Sequence, residues 1–127
     1  MAKISVVMSV YKEPLEWIKG SIDSILNQTF KDFEFIIVDD NPGDDKLLAF
    51  LKEYAGKDER ICILVNEFNM GLTKSLNFAL REAQGEYIAR MDADDISYQD
   101  RFQIQYSYMI SHPEVDVCSS FYETIGD

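Results

Sequence analysis

Residues 4–15 read Ile4-Ser5-Val6-Val7-Met8-Ser9-Val10-Tyr11-Lys12-Glu13-Pro14-Leu15, and a change of pattern inside them decides the fold class. The first seven form a run rich in β-branched, apolar residues at adjacent positions, which marks a strand buried on both faces. Pro14 then suits the first turn of a helix, and Leu15, Ile18, Ile22 and Ile25 follow at three- and four-residue steps. The same unit recurs downstream. Phe33 to Val38 reads as a second strand, Asn41-Pro42-Gly43-Asp44 as a turn, and Leu47, Leu48, Leu51 and Tyr54 as the next helix. Ile61 to Val65 is a third strand, and Leu72, Leu76, Ala79, Leu80 and Ala83 form a helical stripe closed by Gly85. Tyr87 to Met91 is a short fourth strand, followed by a helix from Gln99 to Ile110 and the start of a fifth strand at Val115-Asp116-Val117-Cys118. This alternation predicts an α/β fold: a doubly wound, mostly parallel, Rossmann-like sheet with right-handed crossovers and helices on both faces. No repeat, low-complexity segment or composition shift divides residues 1–127, so a single domain is expected.

With 127 residues, 46% of them hydrophobic, the chain can bury about two-thirds of its unfolded surface and needs no staples. Its 12 Lys+Arg against 23 Asp+Glu give a net charge of −11, which argues against nucleic acid or an anionic membrane as a non-specific partner. The longest apolar runs are strand-sized, far short of the roughly 18–20 residues that span a bilayer. The N-terminus has no cleavable apolar region, so a cytoplasmic location is expected, or the inner face of the membrane for a longer parent. Cys62 and Cys118 each lie in an apolar stretch and are expected to be buried thiols in a reducing compartment. Neither belongs to a zinc-site spacing.

In a parallel sheet the carboxyl ends of the strands share one edge, and ligands bind there where the strand order reverses. Four polar clusters fall at such ends: Tyr11-Lys12-Glu13, Asp39-Asp40-Asn41, Asn66-Glu67-Phe68-Asn69 leading to Gly71, and Asp92-Ala93-Asp94-Asp95. The last carries three carboxylates in four residues. Such groups repel one another, and protonation or a cation is the usual relief. Oxygen-only ligands suit Mg²⁺ or Mn²⁺, which bind through one or two carboxylates plus substrate phosphates. Strand alternation would point Asp92 and Asp94 the same way and turn Asp95 aside. The competing reading is an acidic turn in which Asp95 or Ser97 caps the following helix. At Asp39-Asp40 an Asx turn explains one carboxylate, and an exposed second one would accept a hydrogen bond from a base or a ribose.

Gly71-Leu72-Thr73-Lys74-Ser75 lacks the glycines of an NTPase phosphate loop, and no Gly-x-Gly-x-x-Gly follows the first strand. Lys74 either aims at a diphosphate or is solvated. A response-regulator receiver would carry its acidic pair after the first strand, and a haloacid-dehalogenase-like phosphatase its Asp-x-Asp there; both orders are wrong for this chain.

Taken in order, Val6 to Tyr11, Ser24 to Phe30, Phe35 to Asp40, Asn69-Met70-Gly71-Leu72 through Asn77, Gly85 to Ile88 and Met91 to Asp95 resemble the family 2 glycosyltransferases. The resemblance runs from Ile4 to about Val117 and implies the GT-A nucleotide-diphospho-sugar transferase fold. It implies that Val10, Tyr11 and Glu13 line the nucleotide pocket and that Asp40 accepts from the N3–H of a uracil. Asp92 and Asp94 would form the Asp-x-Asp motif. Asp94 would bind Mn²⁺ or Mg²⁺ between the donor phosphates, and Asp92 would contact the ribose or a metal-bound water. Asp95 would support them, and Lys74 would lie near the nucleotide. The implied activity is metal-dependent, inverting transfer from a nucleotide-diphospho-sugar, UDP-linked as first choice, to a glycan or lipid-linked acceptor. The catalytic base and the acceptor-binding part are expected beyond Asp127. Two alternatives are a fragment that binds nucleotide and metal without turnover, and an interaction domain that self-associates through exposed apolar surface.

Overall fold

A computed structural model describes residues 2–119. Its elements are β1 (Ile4–Val10), α1 (Leu15–Leu26), β2 (Phe33–Asp39), α2 (Asp45–Lys57), β3 (Ile61–Val65), α3 (Leu72–Glu82), β4 (Tyr87–Arg90) and α4 (Arg101–Ser111). The four strands form one sheet in the order β3-β2-β1-β4, and every pairing is parallel.

The two faces of the sheet separate cleanly. Because side chains alternate along a strand, Ile4, Val6, Met8 and Val10 of β1 face one way, with Phe33, Phe35 and Ile37 of β2 beside them. Against them pack Ile18, Ile22 and Ile25 of α1, Leu47 and Leu51 of α2, and Phe102 of α4. The three isoleucines of α1 are fully buried, each stabilising the fold by about 1.5–3 kcal/mol. On the other face Val7, Ile36 and Val38 meet Ala79 of α3, with Leu76 and Phe78 alongside. Asp44 caps α2, its Oδ1 accepting from the N–H groups of Lys46 and Leu47 at 3.1 Å each.

The chain steps from β1 to β2 to β3 in one direction, then crosses back to place β4 on the far side of β1. The strand order therefore reverses between β1 and β4, and the crevice beyond their carboxyl ends is the expected ligand position. The register deepens it. β1 pairs with β2 as far as Val10↔Asp39, but with β4 only as far as Val7↔Arg90.

Three expectations change. Val115 to Cys118 form no strand; they run past the outer edge of β4 unpaired, and Val117 is 84% exposed. Arg101 explains part of this, because its Nη2 donates to the Arg90 carbonyl at 3.1 Å and blocks the end of that edge. The last helix begins at Arg101 rather than Gln99, with Asp100 at its N-cap, so neither Asp95 nor Ser97 caps it. Finally, the cysteines are free but not buried: Cys62 is exposed and Cys118 partly so. β3 is an edge strand, and on the α3 face its Leu64 packs with Ile36 and Val38 while Cys62, nearer the start of the strand, stays exposed. No helix among the described residues is long and apolar enough to cross a membrane.

Candidate functional site

All four polar clusters reach the same edge of the sheet. After β1, the Tyr11 N–H donates to Glu13 Oε1 at 2.7 Å, so that carboxylate closes a tight turn. Val10 is fully buried, and its carbonyl accepts from the Asp40 N–H at 2.9 Å, tying the ends of β1 and β2 together.

Asp39 and Asp40 are both buried, at 0% and 2% exposure, which corrects the expectation of an exposed carboxylate here. They differ sharply in their partners. Asp40 Oδ1 accepts from Asn66 Nδ2 at 2.8 Å and the Met70 N–H at 2.7 Å. Its Oδ2 accepts from Asn69 Nδ2 at 2.8 Å and the Gly71 N–H at 3.0 Å. Four donors fill the acceptor sites of one carboxylate. Gly71 adopts φ +90°, and that left-handed backbone is what turns its N–H toward Asp40 as α3 begins. Asn66 also donates to Ser75 Oγ at 2.9 Å, carrying the network into α3. Asp39, by contrast, accepts at Oδ1 from the Asn41 N–H at 2.8 Å, while its buried Oδ2 has no hydrogen-bond partner. Burial raises the Asp39 carboxyl pKa; the Asn41 bond opposes this, and the charges of Asp44 and Asp40 add to it.

The third acidic group follows β4 as a turn rather than a strand extension. The Asp95 N–H donates to the Asp92 carbonyl at 3.1 Å, and Ala93 between them is buried in the core. Asp94 and Asp95 are exposed and Asp92 half-buried, and one ligand atom from each lies within 4.8 Å of the others. Asp95 thus joins its neighbours instead of turning aside, because a turn abolishes strand alternation. Its pKa is raised, first by burial and then by the charges of Asp94 and Asp92, with Arg101 and Arg90 opposing. Arg90 Nε donates to Asp92 Oδ1 at 3.1 Å. Lys74 is exposed in the first turn of α3.

Sequence reasoning missed what anchors this turn. Ser21 is fully buried on α1, and its hydroxyl meets the carbonyls of Asp92, at 3.1 Å, and Asp95. Ser24 Oγ accepts from the Ser97 N–H at 3.0 Å. Gln28, also fully buried, donates to the Tyr98 carbonyl at 2.6 Å and accepts from the Phe102 N–H at 3.0 Å. The available signal was Ser21 and Ser24, three residues apart on an otherwise apolar helix face, followed by Gln28 just past the end of the helix.

A groove of about 510 Å³ opens along the outer edge of β4, between Ile88, Tyr106 of α4 and Val117, with Arg90 and Arg101 also in its lining.

The chain matches the family described as glycosyl transferase family 2 over residues 5–127. It is 48% identical over 118 residues to the uncharacterized glycosyltransferase MJ1057 of Methanocaldococcus jannaschii, covering 93% of this chain and 41% of that protein. It is 39% identical to the O-antigen biosynthesis glycosyltransferase WbnJ of Escherichia coli, covering 86% of this chain and 42% of that one. Among solved structures, S. aureus TarS 1–349 in complex with UDP-GlcNAc superposes with a TM-score of 0.77 at 27% identity. That superposition covers 87% of this chain and 32% of the TarS chain. The chain therefore spans about two-fifths of the length of these two curated relatives. An all-parallel α/β sheet with a strand-order reversal at its acidic edge agrees with the GT-A fold of these neighbours, and the chain belongs to glycosyl transferase family 2.

Proposed function

We propose that this chain is the donor-binding part of a divalent-cation-dependent, inverting glycosyltransferase that takes its sugar from a UDP-linked donor. The observation that carries the reading is the convergence of Asp92, Asp94 and Asp95 within 4.8 Å at the strand-order reversal, on the same sheet edge as the Asp39-Asp40 strand end. The UDP-GlcNAc held by TarS supports the choice of base. The acceptor, a glycan or a lipid-linked glycan, and its catalytic base belong to the same proposal and are assigned to no described residue.

The carboxylate set fits a hard cation. One oxygen from each of the three side chains lies within 4.8 Å of the others, and oxygen-only donors suit Mg²⁺ or Mn²⁺. Asp94 and Asp92 would hold Mn²⁺ or Mg²⁺, with Asp95 supporting them, and the ion would supply positive charge to the leaving diphosphate. The protein's own part is orientation. Val10, Tyr11 and Glu13 would form the wall of the nucleotide pocket at the end of β1, and Lys74, exposed in the first turn of α3, would lie near the nucleotide. Asp40 has no free acceptor site, so a base N–H reaches it only by displacing a donor. Asn69 is the replaceable one, because it is exposed and its donor is a side-chain amide.

A thermal-shift titration with UDP, GDP, CDP, dTDP and ADP, each with and without Mn²⁺, tests the reading. A ligand at about 100 times its dissociation constant adds roughly 2.7 kcal/mol to the folded state. A shift that needs Mn²⁺, is largest for UDP and is lost in Asp94→Asn is the expected result. Mn²⁺-dependent binding that survives in Asp94→Asn refutes the role given to that residue, and no shift with any nucleotide refutes the donor site.

A further inference from the structure

We infer that Ser21 is a positioning residue for the acidic turn: its buried hydroxyl holds the Asp92–Asp95 backbone in the curvature that makes three carboxylates converge. The inference rests on the cation reading above. A serine inside a helix usually points to solvent or bonds back to its own helix. Ser21 does neither. It is fully buried between Ile18 and Ile22, and its oxygen lies within hydrogen-bond distance of the carbonyls of Asp92 and Asp95. One hydroxyl carries one proton, so it donates to one carbonyl at a time, the nearer Asp95 carbonyl first.

Those two carbonyls bracket the turn closed by the Asp95 N–H. Holding both on one side of α1 fixes the peptide planes that follow Asp92 and Asp95, at the two ends of the turn, and so limits the directions in which the side chains between them leave. Three like charges in one turn push it open. The opposing restraint comes from α1, whose Ile18, Ile22 and Ile25 are locked in the core. Ser24 and Gln28 extend that restraint to residues 97, 98 and 102. A ligand set held ready binds a cation more tightly than one assembled during binding, because the ordering cost is already met by folding.

The test measures Mn²⁺ affinity, by the loss of the free-ion electron paramagnetic resonance signal, for the chain with UDP present and below every variant's melting transition. Ser21→Ala removes the hydroxyl, Ser21→Cys keeps a filled position with a weak donor, Ser21→Thr keeps the hydroxyl, and Ile22→Val is a core control. Ser21→Ala and Ser21→Cys are expected to bind Mn²⁺ roughly threefold to tenfold more weakly, the equivalent of one hydrogen bond. Ser21→Thr and Ile22→Val are expected to match the wild type. Unchanged affinity in Ser21→Ala and Ser21→Cys overturns the positioning role alone, as does an equal loss in Ile22→Val. A wild-type chain that binds no Mn²⁺ overturns the cation reading, and the positioning role falls with it.

Discussion

Asp39 and Asp40 are adjacent, buried and chemically identical, yet the structure predicts opposite sensitivities to the same substitution. Asp40→Asn keeps the volume and one oxygen, but turns an NH₂ group toward two of the four donors that meet the carboxylate at 2.7–3.0 Å. Hydrogen bonds to a charged group are worth about 1.5–3 kcal/mol each, so losing two, with partial rehydration at exposed Asn69, costs about 3–5 kcal/mol. Against a typical domain stability of about 5–15 kcal/mol, that is a large share. In Asp39→Asn the retained oxygen still accepts from the Asn41 N–H, and the atom replaced had no partner. Burial already disfavours the Asp39 charge, so neutralising it should cost less than about 1 kcal/mol. Urea unfolding followed by circular dichroism reads both. With a slope of about 1.5 kcal/mol per molar, the Asp40→Asn midpoint falls by about 2–3 M while the Asp39→Asn midpoint stays close to wild type. Equal midpoints for the two variants at unchanged slope would refute the assignment of Asp40 as the organiser of the β2–β3–α3 junction.

Three further outcomes follow from local geometry. Gly71→Ala forces a side chain onto φ +90°, a region almost confined to glycine, and should cost about 1–3 kcal/mol in the same unfolding assay; a neutral result would mean the junction relaxes freely. Gly85→Ala would place a Cβ 2.7 Å from the Ser5 backbone nitrogen, so β1 or β4 must shift, and a loss of about 1–3 kcal/mol is expected; no loss would argue against this close approach. Tyr54 donates to Asp23 at 2.7 Å, and burial together with that bond pushes its pKa from 10.0 up to about 12. Because the folded value lies above the unfolded one, this contribution is complete below pH 10 and disappears as the pH rises toward 12. The urea midpoint of the wild type should therefore fall more steeply than that of Tyr54→Phe over this interval, and parallel curves would remove the contribution.

The legible parts of this protein were those governed by periodicity. β1 and β2 were readable because central parallel strands are buried on both faces, so their residues are apolar without interruption. β3 gives the same apolar signal although only Ile61 of its five residues is buried, and Cys62 is misplaced for that reason: a pentapeptide of apolar residues does not reveal whether it lies in the centre or at the rim of a sheet. Val115 to Cys118 failed similarly. Their strand pattern is real, but pairing needs a free edge, and a side chain from Arg101 already occupies the end of the edge they pass.

At the acidic edge, local order in the chain was enough to bring the right clusters together, because parallel strands with right-handed crossovers leave no choice about which ends coincide. Three matters were decided only in three dimensions. The reversal of strand order between β1 and β4 depends on a crossover from β3, and no residue in the segment it joins records its destination. The burial and saturation of Asp40 depend on donors that are 26 to 31 positions away, so a strand-end Asp-Asp looks the same whether it meets a ligand or its own loop. Ser21 lies 71 and 74 positions from the carbonyls it meets. In the sequence it is one more serine on a helix; folding makes it a contact because packing α1 against the sheet brings a polar row beneath the acidic turn.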